Sequence, residues 1–208
     1  MSSRFGSRAA GTDGSDFSHR ERVVGHYKVS VLTKNRLRAI LAAHLLVWLL
    51  LLLRLSNDIS TTLAGIELTQ IAKYKLPHAE PCEFLWLVSI VGVILAFVAI
   101  PRNRDRMLRI SYYAIFFFGL IPVLWGAGSG IPELWSYITT LSDAEEHLQQ
   151  EYWRGFPVIV LYFAFYTITA QIHVFSMYFM DQLIQSWMPY ARLRAAAAAA
   201  QVNQRKQD

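Results

Sequence analysis

The apolar residues of this chain gather into four long blocks, near 37–55, 84–100, 110–131 and 155–180, with polar connections between them. They are not spread at the two-residue period of a half-buried strand or at the 3.6-residue period of a helix with one wet face. Each block is long enough for a helix to cross a hydrocarbon core of about 30 Å at about 1.5 Å per residue. The pattern predicts an all-α membrane protein: four transmembrane helices spanning residues 37–180, between polar tails at 1–36 and 181–208. Leu49 to Leu53 run unbroken in the first block, and Arg54 behind them is placed to snorkel to the interface. Pro101 marks the end of the second block, while Pro122 sits inside the third, where neighbouring helices can satisfy the carbonyl it frees. Trp86, Trp125, Trp135 and Trp153 fall near the expected span ends, where indole rings favour the headgroup region. Residues 1–20 read as disordered and 23–37 as an interfacial segment.

Composition agrees, with 54% apolar and only 17% charged residues, against roughly 25% charged in soluble domains. Charge then orients the helices. Of twenty Lys and Arg, eight lie in the N-terminal stretch up to Arg38, four sit at 101–109 and four in the C-terminal tail, so sixteen lie on one side. Arg54, Lys73, Lys75 and Arg154 are left for the other side, together with most of the acids. Cations resist translocation, so both termini are expected in the cytosol, as an even number of spans requires. A net charge of +5 without any zinc-finger, RNA-binding or helix-turn-helix pattern argues for basic flanks and against nucleic acid. The 102–109 arginines suit either anionic lipid headgroups or simple anchoring. Residues 143–151 suit either an amphipathic lumenal helix or a solvated face. Cys82 is the only cysteine, so no intrachain disulfide is possible, and none of the asparagines opens an N-glycosylation acceptor. No cleavable signal peptide precedes the first span.

Candidate chemistry is sparse. His44, Gln171 and His173 are polar groups at membrane depth, and the simplest reading is that each hydrogen-bonds across the bundle and sets helix register. The competing reading is a small channel or transporter that uses the same three side chains. Metal ligation has little behind it, with one cysteine, no carboxylate in a span centre and no His pair at four-residue spacing. Gly126, Gly128 and Gly130 imitate the start of a dinucleotide loop, but no strand precedes them, so they are expected to serve close packing or loosen a span end. No cofactor is expected, and no spaced constellation supports a lipid-modifying enzyme.

The run Ala9-Ala10-Gly11-Thr12-Asp13-Gly14-Ser15-Asp16-Phe17, followed by His19-Arg20-Glu21-Arg22-Val23 and His26-Tyr27, resembles the opening of the Jagunal family. Further matches are His44 and Trp48, Pro101-Arg102-Asn103, Trp153-Arg154-Gly155-Phe156-Pro157 and Gln171-Ile172-His173. The resemblance implies a multi-pass endoplasmic reticulum protein that organises that membrane and supports vesicle traffic and exocytosis in the early secretory pathway, with no catalytic activity. Its partners would be the membrane's lipids and other proteins of that pathway. The terminal Arg205-Lys206-Gln207-Asp208 resembles the dilysine retrieval signal read by the coatomer (COPI) coat, with an arginine replacing one lysine. The alanines at 195–200 are either a helical spacer for it or tolerated drift. In the N-terminal tail, Gly11, Thr12, Asp13, Gly14, Asp16, Phe17, Arg20 and Arg22 form a block too specific for a segment with no core to pack. We expect them to bind a partner.

Overall fold

The computed structural model describes the backbone at residues 15–77, 79–139 and 151–205, and side chains at 28–77, 79–139 and 151–187. Four helical segments are long and apolar enough to cross a membrane: Lys28–Ala64, Pro81–Arg102, Asp105–Thr139 and Val158–Trp187. Their outward faces carry large apolar residues such as Leu50, Leu53, Ile94, Phe117, Ile168 and Phe175, while several of the polar ones are turned inward. A bundle in water would be arranged the other way round.

The helices outrun the apolar blocks. Span one is part of α1, Ser15–Ala64, so 23–37 is not a separate interfacial segment, and residues 15–20 are helical. Continuity has a packing cause: Thr33, Leu37, Leu41, His44, Leu51 and Leu55 recur three, four or seven apart and are all buried, which makes one stripe along a single helix. Beyond the short α2 (Thr69–Ala72), span two divides into α3 (Pro81–Leu87) and α4 (Ile90–Arg102). Pro101 does not end α4. Asn103 does, at φ 50° and ψ 43°, a left-handed cap that Asn tolerates better than most residues.

Span three consists of α5 (Asp105–Ile115), a π-helical turn (Phe116–Leu120) and α6 (Ile121–Thr139). The wide turn has a cause in sequence. Pro122 has no N–H to return to the carbonyl four residues back and its ring collides with that carbonyl, so the preceding backbone opens. The Ile121 N–H accordingly reaches the Phe116 carbonyl, five residues back. Strands β1 (Tyr152–Trp153) and β2 (Phe156–Pro157) pair Trp153 with Phe156 through Arg154 and Gly155, both at positive φ, as two-residue hairpins of this kind require. Helix α7 then runs from Val158 to Arg205.

Two apolar clusters fill the bundle. One joins Leu37, Leu41, Ala96, Ile100, Leu108 and Leu183, and the other joins Leu51, Leu55, Cys82, Val123 and Tyr166. Beside the first, Lys34 Nζ donates to Asn103 Oδ1 at 2.6 Å and lies 5.6 Å from the Trp187 ring. The start of span one, the 103–104 connection and the end of span four therefore meet at one end of the bundle.

Candidate functional site

Between the two clusters lies a buried polar node to which every span contributes. Tightening of span two exposes it: Val88, Ser89, Val91 and Gly92 donate to carbonyls three residues back, a local 3₁₀ geometry. Val91 therefore does not satisfy the Leu87 carbonyl, and the Trp48 indole N–H does so at 2.8 Å. One turn earlier on α1, His44 Nε2 lies 3.0 Å from Ser89 Oγ. His44 and Trp48 are four apart, on one helical face, so a single face of span one grips the break. Trp48→Phe keeps an aromatic ring, though a smaller one, and removes the donor. We expect about 0.5–1.5 kcal/mol lower stability, read by denaturant unfolding of detergent-solubilised protein.

From the other side of the break Trp86 reaches span four, donating Nε1–H to His173 Nε2 at 2.7 Å. An accepting Nε2 carries no hydrogen, which puts the His173 proton on Nδ1. The His44 ring stacks on Trp86 at 5.3 Å between centroids and meets His173 edge-on at 4.7 Å. Span three closes the node through its π turn: a Cβ at Gly119 would stand 2.7 Å from His173 Cε1 and 3.0 Å from Nδ1. Both histidines are fully buried.

Nearer the opposite end, a second node joins spans one, two and four. Arg54 pairs with Glu83 and donates Nη2–H to the Pro77 carbonyl and to the Tyr162 hydroxyl, at 3.3 and 2.7 Å. Glu83 Oε2 also accepts the Glu80 backbone N–H at 2.9 Å, closing the N-terminus of α3. One turn inward, Cys82 Sγ lies 3.6 Å from the Tyr166 hydroxyl, with Gly126 packed against both.

Several expectations change. Arg54 is only partly exposed and held by a carboxylate, so it does not snorkel freely. Glu83 is no loop acid but a helix residue 2% exposed. Trp86 lies in the core, not the headgroup region, because a partner for its N–H exists there. The glycine run lies inside α6 instead of closing a span: Gly126 and Gly130 meet side chains of Cys82, Tyr166 and Phe163, and Gly128 faces open space. Cys82 is buried. Gln171 points away from the histidines, on the exposed face of α7, as its two-residue offset dictates.

Gly11, Thr12, Asp13, Gly14 and Lys206 lie outside the described residues, as do 143–150. Asp16, Phe17, Arg20 and Arg22 are on the α1 backbone and Arg205 ends α7, without described side chains. The structure also adds Trp48, Trp86, Ser89, Glu83, Tyr162 and Tyr166 to the polar contacts. Part of this had a signal in sequence: Tyr162, Tyr166, Thr169, His173 and Ser176 recur at three or four residues within one apolar block.

The chemistry open to these groups is narrow. Among the described residues, Nδ1 of His44, Nδ1 of His173 and Oγ1 of Thr169 are buried without a partner, and two imidazole nitrogens with one hydroxyl fall short of a tetrahedral donor set. Among the described residues no three His, Cys, Asp or Glu converge. A cleft does lie between spans one and four, but Val47, Leu50, Leu161, Phe165 and Ile168 line it, not His44, Gln171 or His173. Among the described residues these contacts do not favour the channel reading.

The chain is 35% identical to "Protein jagunal homolog" of Caenorhabditis elegans over 192 residues, covering 92% of this chain and 100% of that one. It is 31% identical to "Protein jagunal" of Drosophila melanogaster over 188 residues, 90% of this chain and 95% of the relative. With human "Protein jagunal homolog 1" it shares 30% over 187 residues, 90% and 94% of the two chains. The family model described as "Jagunal, ER re-organisation during oogenesis" matches residues 1–191, so this four-span chain belongs to the Jagunal family.

Proposed function

We propose that the chain is a nonenzymatic organiser of the endoplasmic reticulum membrane that supports vesicle traffic in the early secretory pathway, with both tails in the cytosol. The observation that carries this is the family match, which begins at residue 1 and so takes in the polar block before the first span as well as the spans. Charge supplies the orientation: the end of the bundle marked by Lys34 and Asn103 adjoins the segments that hold sixteen of the twenty cations. Buried polar nodes then have a mechanical role. They lock four helices into one body, so that a partner bound to a tail is coupled to the whole bundle and to the lipids around it. The N-terminal block, residues 9–27, is the partner surface in this reading, and Arg205 with Lys206, beyond the family match, forms the coat contact.

Deleting residues 9–27 is expected to leave the protein in the reticulum while disturbing membrane organisation and slowing secretory flux. Imaging and a cargo-release assay read this, with Lys206→Ser as a parallel arm in which the protein spreads to later compartments. Normal organisation and flux with a correctly located deletion variant defeats the partner surface. A tag on either terminus that is sealed from cytosolic protease defeats the topology.

A further inference from the structure

We propose that the cleft between the first and last spans is a glycerophospholipid site, with one acyl chain along its apolar length and the lipid phosphate at a cationic rim around Arg154. The cleft has a volume of about 420 Å³, inside the range of about 300–1,000 Å³ usual for small-molecule sites. Its walls are hydrocarbon: Val47, Leu50 and Leu51 on α1 face Leu161, Phe165 and Ile168 on α7. Leu50 and Ile168 are exposed, so the cleft opens sideways, where a spanning bundle meets lipid tails.

Length identifies the occupant. From Val158 to Ile168 the cleft follows α7 for roughly 15 Å at about 1.5 Å per residue, half of a hydrocarbon core of about 30 Å. That fits a chain from one leaflet. A partner's spanning helix needs the full thickness and would leave half its face unmatched.

The rim supplies the charge. Polar groups enter the lining at one end, where Arg54 and Glu83 accompany Pro77 and Trp153. Arg54 is neutralised by Glu83, so the uncompensated charge comes from elsewhere. The Arg154 guanidinium lies 5.7 Å from the ring centroids of both Trp153 and Tyr74, and Lys73 Nζ lies 5.4 Å from the Tyr74 ring. Trp153 Nε1 donates to the Tyr74 carbonyl at 3.2 Å, which fastens this aromatic shelf to the hairpin. Among the described residues no carboxylate pairs with Arg154. A phosphate is the anion that arrives at such a shelf attached to an acyl chain. The site requires only that the chain sit in a bilayer and does not rest on the trafficking role.

The test places the purified full-length chain in phosphatidylcholine nanodiscs with a trace of phosphatidylcholine bearing a diazirine midway along one acyl chain, followed by irradiation and peptide mapping. Label is expected at 47–51 and 161–168, well above that at Ile94 or Phe117, which are equally exposed. Leu50→Trp and Ile168→Trp fill the cleft and abolish that label. With an anionic phosphatidylglycerol probe of the same design in the phosphatidylcholine matrix, Arg154→Gln lowers the label about fivefold, the worth of one interfacial cation. Should the tryptophan variants fail to elute as folded protein, the map of the unaltered chain and the Arg154 variant decide. Label spread evenly around the bundle, label indifferent to Arg154→Gln, or a cleft closed by a second copy of the chain each overturns the proposal.

Discussion

Replacing Arg54 by methionine lowers the stability of the bundle by about 3–5 kcal/mol, the usual cost of breaking a buried ion pair from one side. The loss comes from Glu83, whose side chain is 1% exposed and would keep only the Glu80 N–H as a partner. Arg54 also holds the Pro77 carbonyl and the Tyr162 hydroxyl, so the change loosens span one from spans two and four together. Removing both charges is expected to be much milder. Arg54→Met with Glu83→Leu leaves no unpaired ion and recovers most of the stability, because a buried ion pair and an apolar pair of similar volume are often close in free energy. Thermal unfolding in detergent, followed by the tryptophan fluorescence, measures all three proteins. A double variant as weak as the Arg54 single variant would show that packing, and not the uncompensated carboxylate, sets the cost.

The second large effect is expected at Gly119, where alanine costs about 2–4 kcal/mol through overpacking and a strained hydrogen bond. The new Cβ falls 2.7–3.1 Å from three atoms of the His173 ring. That ring cannot yield cheaply, since Trp86 donates to it and His44 lies against it. A π turn is also the least adjustable part of span three, because Pro122 enforces it. The coupling is directly measurable. In a His173→Ala background the Gly119→Ala change should cost less than 1 kcal/mol, because the obstructing ring is gone. Additive losses would place the strain in the backbone of the turn.

Much of the architecture was legible in the chain before folding was considered. Four apolar blocks translate into four spans because backbone groups in a bilayer must bond within their own helix, which makes length and hydropathy sufficient to locate them. The same logic hid the interior. Within a block nearly every residue is apolar, so hydropathy does not distinguish lipid-facing Leu50 from buried Leu51. Leu37, Leu41 and His44 needed the three-to-four spacing to be read as a stripe.

The helices run past the boundaries drawn where charge begins, as at residues 23–37, because a helix does not stop at the membrane surface when its sequence still favours helix. Polar residues divided in the same way. The presence of His44 and His173 inside spans was plain from their positions, and with it the expectation of cross-helix contacts. Their partners were not, since Trp86, Ser89 and the Leu87 carbonyl become available only when span two tightens.

Sequence alone determined that four segments are long and apolar enough to cross a membrane and where the cations fall between them, because each follows from properties local to a residue. Tertiary structure alone decided that Arg54 faces Glu83 instead of water, that Trp86 sits in the core and that a cleft remains between spans one and four. These depend on which faces of different helices meet, and in a bilayer that choice rests on packing and interhelical hydrogen bonds between residues far apart in the chain.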